Sequence, residues 1–173
     1  MSAFLHGKLP AHGDFVARGL EPAARDALDA WLTASLAEAR DVLGERFEQG
    51  FDAAPPWRFA WRGDEGWTAG AIAASVDGVG RRYPILLGRA RLREDEVASA
   101  AAQAEGLLYD ALAEAWDADR LQAAALALAL PSGEPQAEAW WTVDAGGSTV
   151  RRLAGARPDG LWTAMLTING DRP

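Results

Sequence analysis

Two acid–guanidinium pairs are the clearest candidates for chemistry in the sequence. Asp14 is followed four residues later by Arg18, and Asp77 is followed four residues later by Arg81. Glycines lie beside the first pair and within the second, which indicates loops. Such a pair can present a polar recognition surface, or it can hold its own loop by hydrogen bonds to the backbone. Both interpretations stay open, and the structural one is favoured because polar side chains beside turn glycines commonly bond local backbone groups.

The two histidines, His6 and His12, could act with Asp14 as a metal site or as a hydrolytic base. A metal site needs about three or four converging ligands, and the sequence supplies no further histidine and no cysteine. It also contains no G-x-S-x-G nucleophile motif. We therefore expect no metal, no cofactor and no catalytic residue. A small hydrolase that uses His12 and Asp14 is the alternative.

Two glycine-containing segments match nucleotide-binding loops only in part. Gly7 and Lys8 lack the upstream glycine and the following Ser or Thr of a Walker loop. Residues 78–80 begin like a dinucleotide fingerprint, but Tyr83 stands where that fingerprint needs glycine. Both nucleotide-binding motifs are excluded.

Amphipathic periodicity predicts the helices around these loops. Apolar residues at three- and four-residue steps predict a helix that begins at Pro22 and stops at Gly44. The same periodicity predicts a second long helix over residues 95–116. Asp117 is then a candidate cap for a shorter helix that continues to residue 128.

Alternating apolar residues predict strands, and these define the fold class. The predicted strands are residues 4–9, 57–61, 67–76, 83–91, 140–143 and 149–153, and residues 161–168 fit either a helix or a strand. Short connections favour antiparallel pairing. We expect an α/β fold of the α+β kind: a mainly antiparallel sheet with long amphipathic helices packed on it, as a layered α/β/α sandwich. Residues 1–173 suit a single domain.

The eight tryptophans need burial or a partner. Trp31 lies on the apolar stripe of the first helix and is expected in the core. Trp140 and Trp141 are adjacent in a predicted strand, so their side chains point to opposite faces of the sheet. Either helices cover both faces, which we favour, or one tryptophan is an exposed anchor. The candidate residues for binding a protein partner are therefore Asp14, Arg18, Asp77, Arg81 and Trp141.

Charge and composition limit the partners. The formal net charge is -8 and the pI is about 4.7, so the surface as a whole repels nucleic acid and anionic membranes. The sequence shows no signal-peptide pattern and no stretch long enough to insert into a membrane. We expect a cytoplasmic protein whose partner is another protein, and we leave its oligomeric state open.

Five sequence blocks, in order, carry a resemblance to a known family. They are residues 7–20 (GKLPAHGDF, then RGL), 29–32 (DAWL), 55–59 (PPWRF), 75–84 (SVDGVGRRYP) and 140–141 (WW). In this order and spacing the chain resembles the TagF family, also called ImpM, whose members are accessory proteins of bacterial type VI secretion systems.

The resemblance implies a function as well as a family. TagF proteins are similar to post-translational repressors that restrain assembly of the secretion apparatus. Their expected partner is the system's forkhead-associated scaffold protein, and their control is linked to a threonine kinase and phosphatase pair. The resemblance implies no catalytic residue. A resident structural component of the secretion assembly is a further alternative.

Overall fold

The computed structural model describes residues 2–168, and its centre is one seven-stranded antiparallel sheet. The strands follow the order β2-β1-β5-β4-β3-β6-β7 across the sheet. Every neighbouring pair is antiparallel. The strands are β1 Ser2–Gly7, β2 Val16–Arg18, β3 Trp57–Gly63, β4 Gly66–Ala73, β5 Ile85–Leu92, β6 Ala139–Val143 and β7 Thr149–Ala154.

Five α-helices accompany the sheet within the described residues. They are α1 Pro22–Leu43, α2 Arg46–Ala53, α3 Val97–Ala113, α4 Ala118–Ala127 and α5 Leu161–Thr167, and a short 3-10 turn, Glu94–Glu96, leads into α3. None of the helices among residues 2–168 has the length and apolar character needed to cross a bilayer.

Local sequence signals determine both ends of α1. Pro22 occupies the first turn, where its missing amide costs no hydrogen bond. Gly44 ends the helix with a φ of 54°, a backbone conformation that favours glycine, and its amide donates to the Arg40 carbonyl. The buried face includes Leu28, Leu32 and Leu36. The predicted start, stop and apolar face of this helix are all confirmed.

Alternate strand residues pack against different helices. Phe4, Ile72 and Leu86 belong to one buried cluster, which also contains residues of α1, α2 and α5. The neighbouring strand residues Leu5 and Leu87 belong to a second cluster with residues of α3 and α4. The mixed α/β fold with an antiparallel sheet is therefore confirmed, and each of these strands has buried residues in both clusters.

The adjacent tryptophans of β6 are both buried. Trp140 is 0% exposed and lies in the cluster with α1, whereas Trp141 is 5% exposed and lies with residues of α3. Trp31 is only half-buried and packs at the margin of its cluster, with its ring 5.5 Å from that of Trp140. Trp31 was expected inside the core, and it lies at the edge of the core instead.

Two elements are absent from the sequence-based prediction. The first, β2, has only three residues and pairs with the end of β1. The second, α2, buries Phe47 and Phe51 one turn apart. Residues 161–167, which the sequence left undecided, form a helix that buries both Trp162 and Met165.

Candidate functional site

Two loops that are distant in the sequence are hydrogen-bonded to each other at one end of the sheet. We call them the loop face: residues 8–15, after β1, and residues 75–83, before β5. The Gly78 amide donates to the His12 carbonyl at 2.7 Å. The Arg81 guanidinium donates to the Gly13 carbonyl, also at 2.7 Å. The sequence predicted two separate loops, and the structure brings them together as one surface.

Asp77 is the centre of the loop face. Its side chain has no exposed surface, and it accepts hydrogen bonds from Lys8 Nζ at 2.9 Å and Arg81 Nε at 2.7 Å. The backbone amides of Val79 and Arg81 also donate to it, at 3.1 and 2.9 Å. Burial by itself would raise the pKa of this carboxyl. The four donors outweigh that effect and hold the pKa well below its ordinary range.

Lys8 connects the Asp77 carboxylate to the end of β1 and to the start of β5. Its amide donates to the Pro84 carbonyl at 3.1 Å, and its own carbonyl accepts from the Ser75 hydroxyl at 2.8 Å. Its ammonium lies 5.0 Å from the centre of the Phe15 ring. Both loops are therefore joined by backbone and side-chain contacts, which restricts the positions that their exposed residues can take.

The first acid–guanidinium pair is arranged differently from the second. Asp14 is exposed and accepts from the amide of Phe15 at 2.8 Å. Arg18 lies in β2 and pairs with Asp119 of α4 at 2.7 Å. Asp14, Asp77 and Arg81 thus share the loop face, while Arg18 joins β2 to α4.

Trp141, the remaining candidate binding residue, is in the interior. Its ring packs with Val97 and Ala101 of α3 in a buried cluster. The Arg152 guanidinium lies 5.5 Å from the ring centre. The ring is therefore covered by this protein's own residues, and a role in binding a partner stays a prediction.

His12 and Asp14, the residues of the hydrolase alternative, bond to different groups. Nε2 of His12 accepts a hydrogen bond from the amide of Ala118 at 3.1 Å. That nitrogen must be unprotonated to accept, and the bond satisfies an amide at the start of α4. Asp14 bonds to the chain beside it. The structure thus gives each side chain a structural contact, with a distant helix for His12 and with the adjacent residue for Asp14.

A partly buried polar cluster that includes Tyr83 of the loop face escaped the sequence analysis. Asp29 Oδ1 accepts from the Tyr83 hydroxyl at 2.9 Å and lies 3.0 Å from His6 Nε2. Burial, together with the neighbouring Asp29 carboxylate, raises the pKa of the Tyr83 hydroxyl, which therefore stays a donor. The Phe15 ring meets the Tyr83 ring edge-on at 4.7 Å. No local sequence signal pointed to this cluster, because its residues come from β1, α1 and the loop before β5.

The outer surface of the loop face combines apolar and charged side chains. Val79 is 71% exposed and Phe15 is 48% exposed. The Arg81 side chain is 60% exposed, although its Nε is held by Asp77. Asp14 is exposed on the same loop as Phe15. Exposed apolar groups beside a fixed guanidinium are typical of protein-binding surfaces.

Within residues 2–168, no three histidine or acidic side chains are grouped so that they could hold a metal ion. His6 and His12 take part in the contacts described above, with Asp29 and with the amide of Ala118.

Comparisons with known proteins agree with these features. The crystal structure of PA0076 from Pseudomonas aeruginosa PAO1 is similar with a TM-score of 0.63 at 24% identity, over 98% of this chain and 78% of that one. This likeness supports the fold. No curated protein matches the chain. Residues 5–128, which include both loops of the loop face, match the model of the TagF N-terminal domain, described as type VI secretion system-associated. That match spans more than half of the sequence, and the chain therefore belongs to the TagF N-terminal domain family of type VI secretion-associated proteins.

Proposed function

We propose that this protein is a cytoplasmic, non-catalytic regulator that represses assembly of the type VI secretion apparatus after translation. It does so by binding the forkhead-associated scaffold protein of the same system. Membership of the TagF family supports the link to type VI secretion. The exposure of Val79 and Phe15 on two hydrogen-bonded loops is the observation that carries the binding mechanism.

The loop face has the composition of a small docking surface. Val79 and Phe15 supply apolar area, and burying such side chains is a main source of affinity in protein complexes. Arg81 supplies a fixed cation, because Asp77 and the Gly13 carbonyl hold its guanidinium from behind. A cation of this kind favours an acidic group on the partner.

Preorganisation of the loops supports binding with little reordering. The contacts of Lys8 and Asp77 connect both loops to the ends of β1 and β5. A surface that is rigid before it binds loses less conformational entropy on binding. A layered α/β/α sandwich is part of the same proposal. Helices that cover both faces of the sheet would leave the end that carries the loop face open to a partner.

Calorimetric titration against the scaffold protein of the same secretion locus tests the proposal. We expect saturable binding with a Kd of micromolar or better, which corresponds to roughly -8 kcal/mol. Val79→Asp should weaken that binding by about thirtyfold, as expected for an apolar contact replaced by a charge. Phe15→Ala should weaken it as well, with the midpoint of thermal unfolding recorded beside it because this ring also contacts Tyr83.

Val150→Asp is the matched control, since Val150 is a valine on β7 that is 53% exposed. It should bind like the wild type. Equal affinity of the wild type and Val79→Asp would rule out docking through the loop face. No saturable binding would rule out the scaffold as the direct partner. In cells, Val79→Asp should release secretion from repression while the protein level stays unchanged.

A further inference from the structure

A concave site lies at the opposite end of β1 and β5 from the loop face. It is a cavity of about 450 Å³. Phe4, Leu28, Trp31 and Trp61 contribute to its apolar lining. The loop face follows the last residue of β1, whereas this cavity includes Ser2, the first. Its volume falls within the range of small-molecule sites, roughly 300–1,000 Å³.

Two tryptophans form its aromatic walls. Trp31 and Trp61 are both half-buried, so part of each ring is exposed to the cavity. Their other contacts lead into the core, because the Trp61 ring stacks on Phe59 at 4.4 Å and the Trp31 ring lies 5.5 Å from Trp140. The walls are therefore supported from behind and suit a flat apolar group.

The mouth of the cavity carries an available cation. The guanidinium of Arg157 lies 6.0 Å from the centre of the Trp31 ring, and its side chain is exposed. No carboxylate among residues 2–168 forms an ion pair with it. The other arginine at this mouth, Arg91, is paired with Glu65 at 3.0 Å. Arg157 can therefore accept an outside anion.

The backbone around the cavity is unusual at two places. Arg91 has a φ of 60°, a conformation that costs energy for a residue with a side chain. The pairing of β4 with β5 shifts register between Trp67 and Ala69, and Thr68, which lies at that shift, lines the cavity. Strained residues and β-bulges of this kind are concentrated at binding sites, where they redirect side chains.

We propose that this cavity binds a small organic monoanion, with an apolar ring against Trp31 and Trp61 and its acidic group on Arg157. A single negative charge is specified because Glu21, which also lines the mouth, repels a more highly charged ligand. The site is separate from the loop face and does not depend on the scaffold-binding proposal.

Three naphthalene probes with the same ring test the proposal. They are naphthalene-2-carboxylate, naphthalene-2-carboxamide and the 2-naphthylmethylammonium ion, titrated by calorimetry and followed by the indole N–H signals in NMR spectra. We expect the carboxylate to bind at least about fivefold more tightly than the amide, which is the effect of one partly exposed ionic contact. The ammonium ion should bind the weakest. The signals of Trp31 and Trp61 should shift.

Three variants connect the affinity to individual side chains. Arg157→Gln should lower the affinity for the carboxylate to that for the amide and leave the amide unchanged. Glu21→Gln should raise the affinity for the carboxylate, because it removes a repelling charge. Arg152→Gln is the matched control, since Arg152 is also an exposed arginine over a tryptophan ring, that of Trp141.

Three results would overturn the proposal. The first is no saturable binding up to the solubility limit of the carboxylate. The second is equal affinity for the carboxylate and the amide. The third is an equal effect of Arg157→Gln and Arg152→Gln, which would show that the anion responds to overall charge and not to this cavity.

Discussion

Lys8 Nζ lies 2.9 Å from Asp77 Oδ2, and the two side chains are 8% and 0% exposed. This buried ion pair connects residues that are 69 positions apart in the sequence. It joins the end of β1 to the loop that precedes β5. The sequence left Asp77 open to a recognition role or a structural role and favoured the structural one, and the contacts of its carboxylate support that interpretation. Arg81, its second partner, extends from the buried carboxylate to the surface.

Replacement of Asp77 by alanine should destabilise the protein strongly. The change leaves the Lys8 ammonium buried without its partner, and the amides of Val79 and Arg81 lose their acceptor. Loss of one member of a buried ion pair is among the most costly single changes. We expect the midpoint of thermal unfolding to fall by roughly 10 °C for a chain of this size.

Asp14→Ala is the control for that measurement. Asp14 is an exposed aspartate of the same loop face, and its hydrogen bond is to the adjacent amide of Phe15. The midpoint of thermal unfolding of this variant should stay within about 2 °C of that of the wild type, as for most surface changes. A stable Asp77→Ala variant with weakened scaffold binding would instead assign Asp77 to recognition.

Acid should weaken the folded state through the same carboxylate. The donors around Asp77 hold its pKa in the folded protein well below the unfolded value of about 3.9. Its contribution to stability is therefore complete above about pH 4 and is lost as the pH falls toward the folded pKa. Between those two pKa values the unfolded chain binds about one more proton at this site than the folded chain does.

Denaturant titrations of the wild type and Asp77→Asn at a series of pH values measure this effect. Below pH 4 the free energy of unfolding should fall more steeply with acid for the wild type, by a slope equivalent to about one proton. The other carboxyl groups are present in both proteins and cancel in the comparison. Parallel curves would mean that the Asp77 pKa is the same in the folded and unfolded chains.

A glycine at the centre of the sheet should not tolerate a methyl group. Gly70 pairs with Gly88 across β4 and β5. A Cβ at Gly70 would collide with the Leu87 carbonyl and lie 2.7 Å from the Phe59 ring. Backbone atoms cannot move aside without disturbing the ladder. We expect Gly70→Ala to lower the free energy of unfolding by about 3 kcal/mol, measured by denaturant titration.

Gly106→Ala should have the opposite effect on the free energy of unfolding in the same experiment. Gly106 lies inside α3 and is exposed, and an added Cβ would meet no heavy atom within 4 Å apart from the backbone of its own helix and its chain neighbours. Alanine in place of glycine within a helix should raise the free energy of unfolding by about 0.5–1 kcal/mol. A loss at Gly106 as large as that at Gly70 would contradict this account of the sheet.

Local signals were sufficient for the elements that have their own periodicity. The helix from Pro22, the cap at Asp117, which accepts from the Arg120 amide, and the hairpin of β6 and β7 were all predicted close to their observed positions. The strand β2 was missed because three residues carry no measurable alternation, and its existence depends on pairing with β1. The helix α2 was missed because eight residues contain only one apolar step, from Phe47 to Phe51.

The sequence identified candidate residues of the site but not most of the contacts that those residues make. The spacing of Asp77 and Arg81 around glycines did identify a bonded pair. The identical spacing of Asp14 and Arg18 did not, because β2 directs Arg18 toward α4. The cluster around Asp29 assembles from β1, α1 and a loop, so no local pattern in the sequence could reveal it.

Replacement of His12 by alanine should loosen the start of α4 and leave the rest of the protein folded. Nε2 of His12 accepts from the Ala118 amide, whereas the Asp117 side chain accepts from the Arg120 amide, so the two residues satisfy different donors of one helix end. Each loss should cost about 1 kcal/mol, as for a helix cap. Hydrogen exchange distinguishes them: His12→Ala should speed exchange at Ala118, and Asp117→Ala should speed it at Arg120. Unchanged exchange at Ala118 in His12→Ala would show that this histidine does not hold the helix, and would return it to the candidates for chemistry.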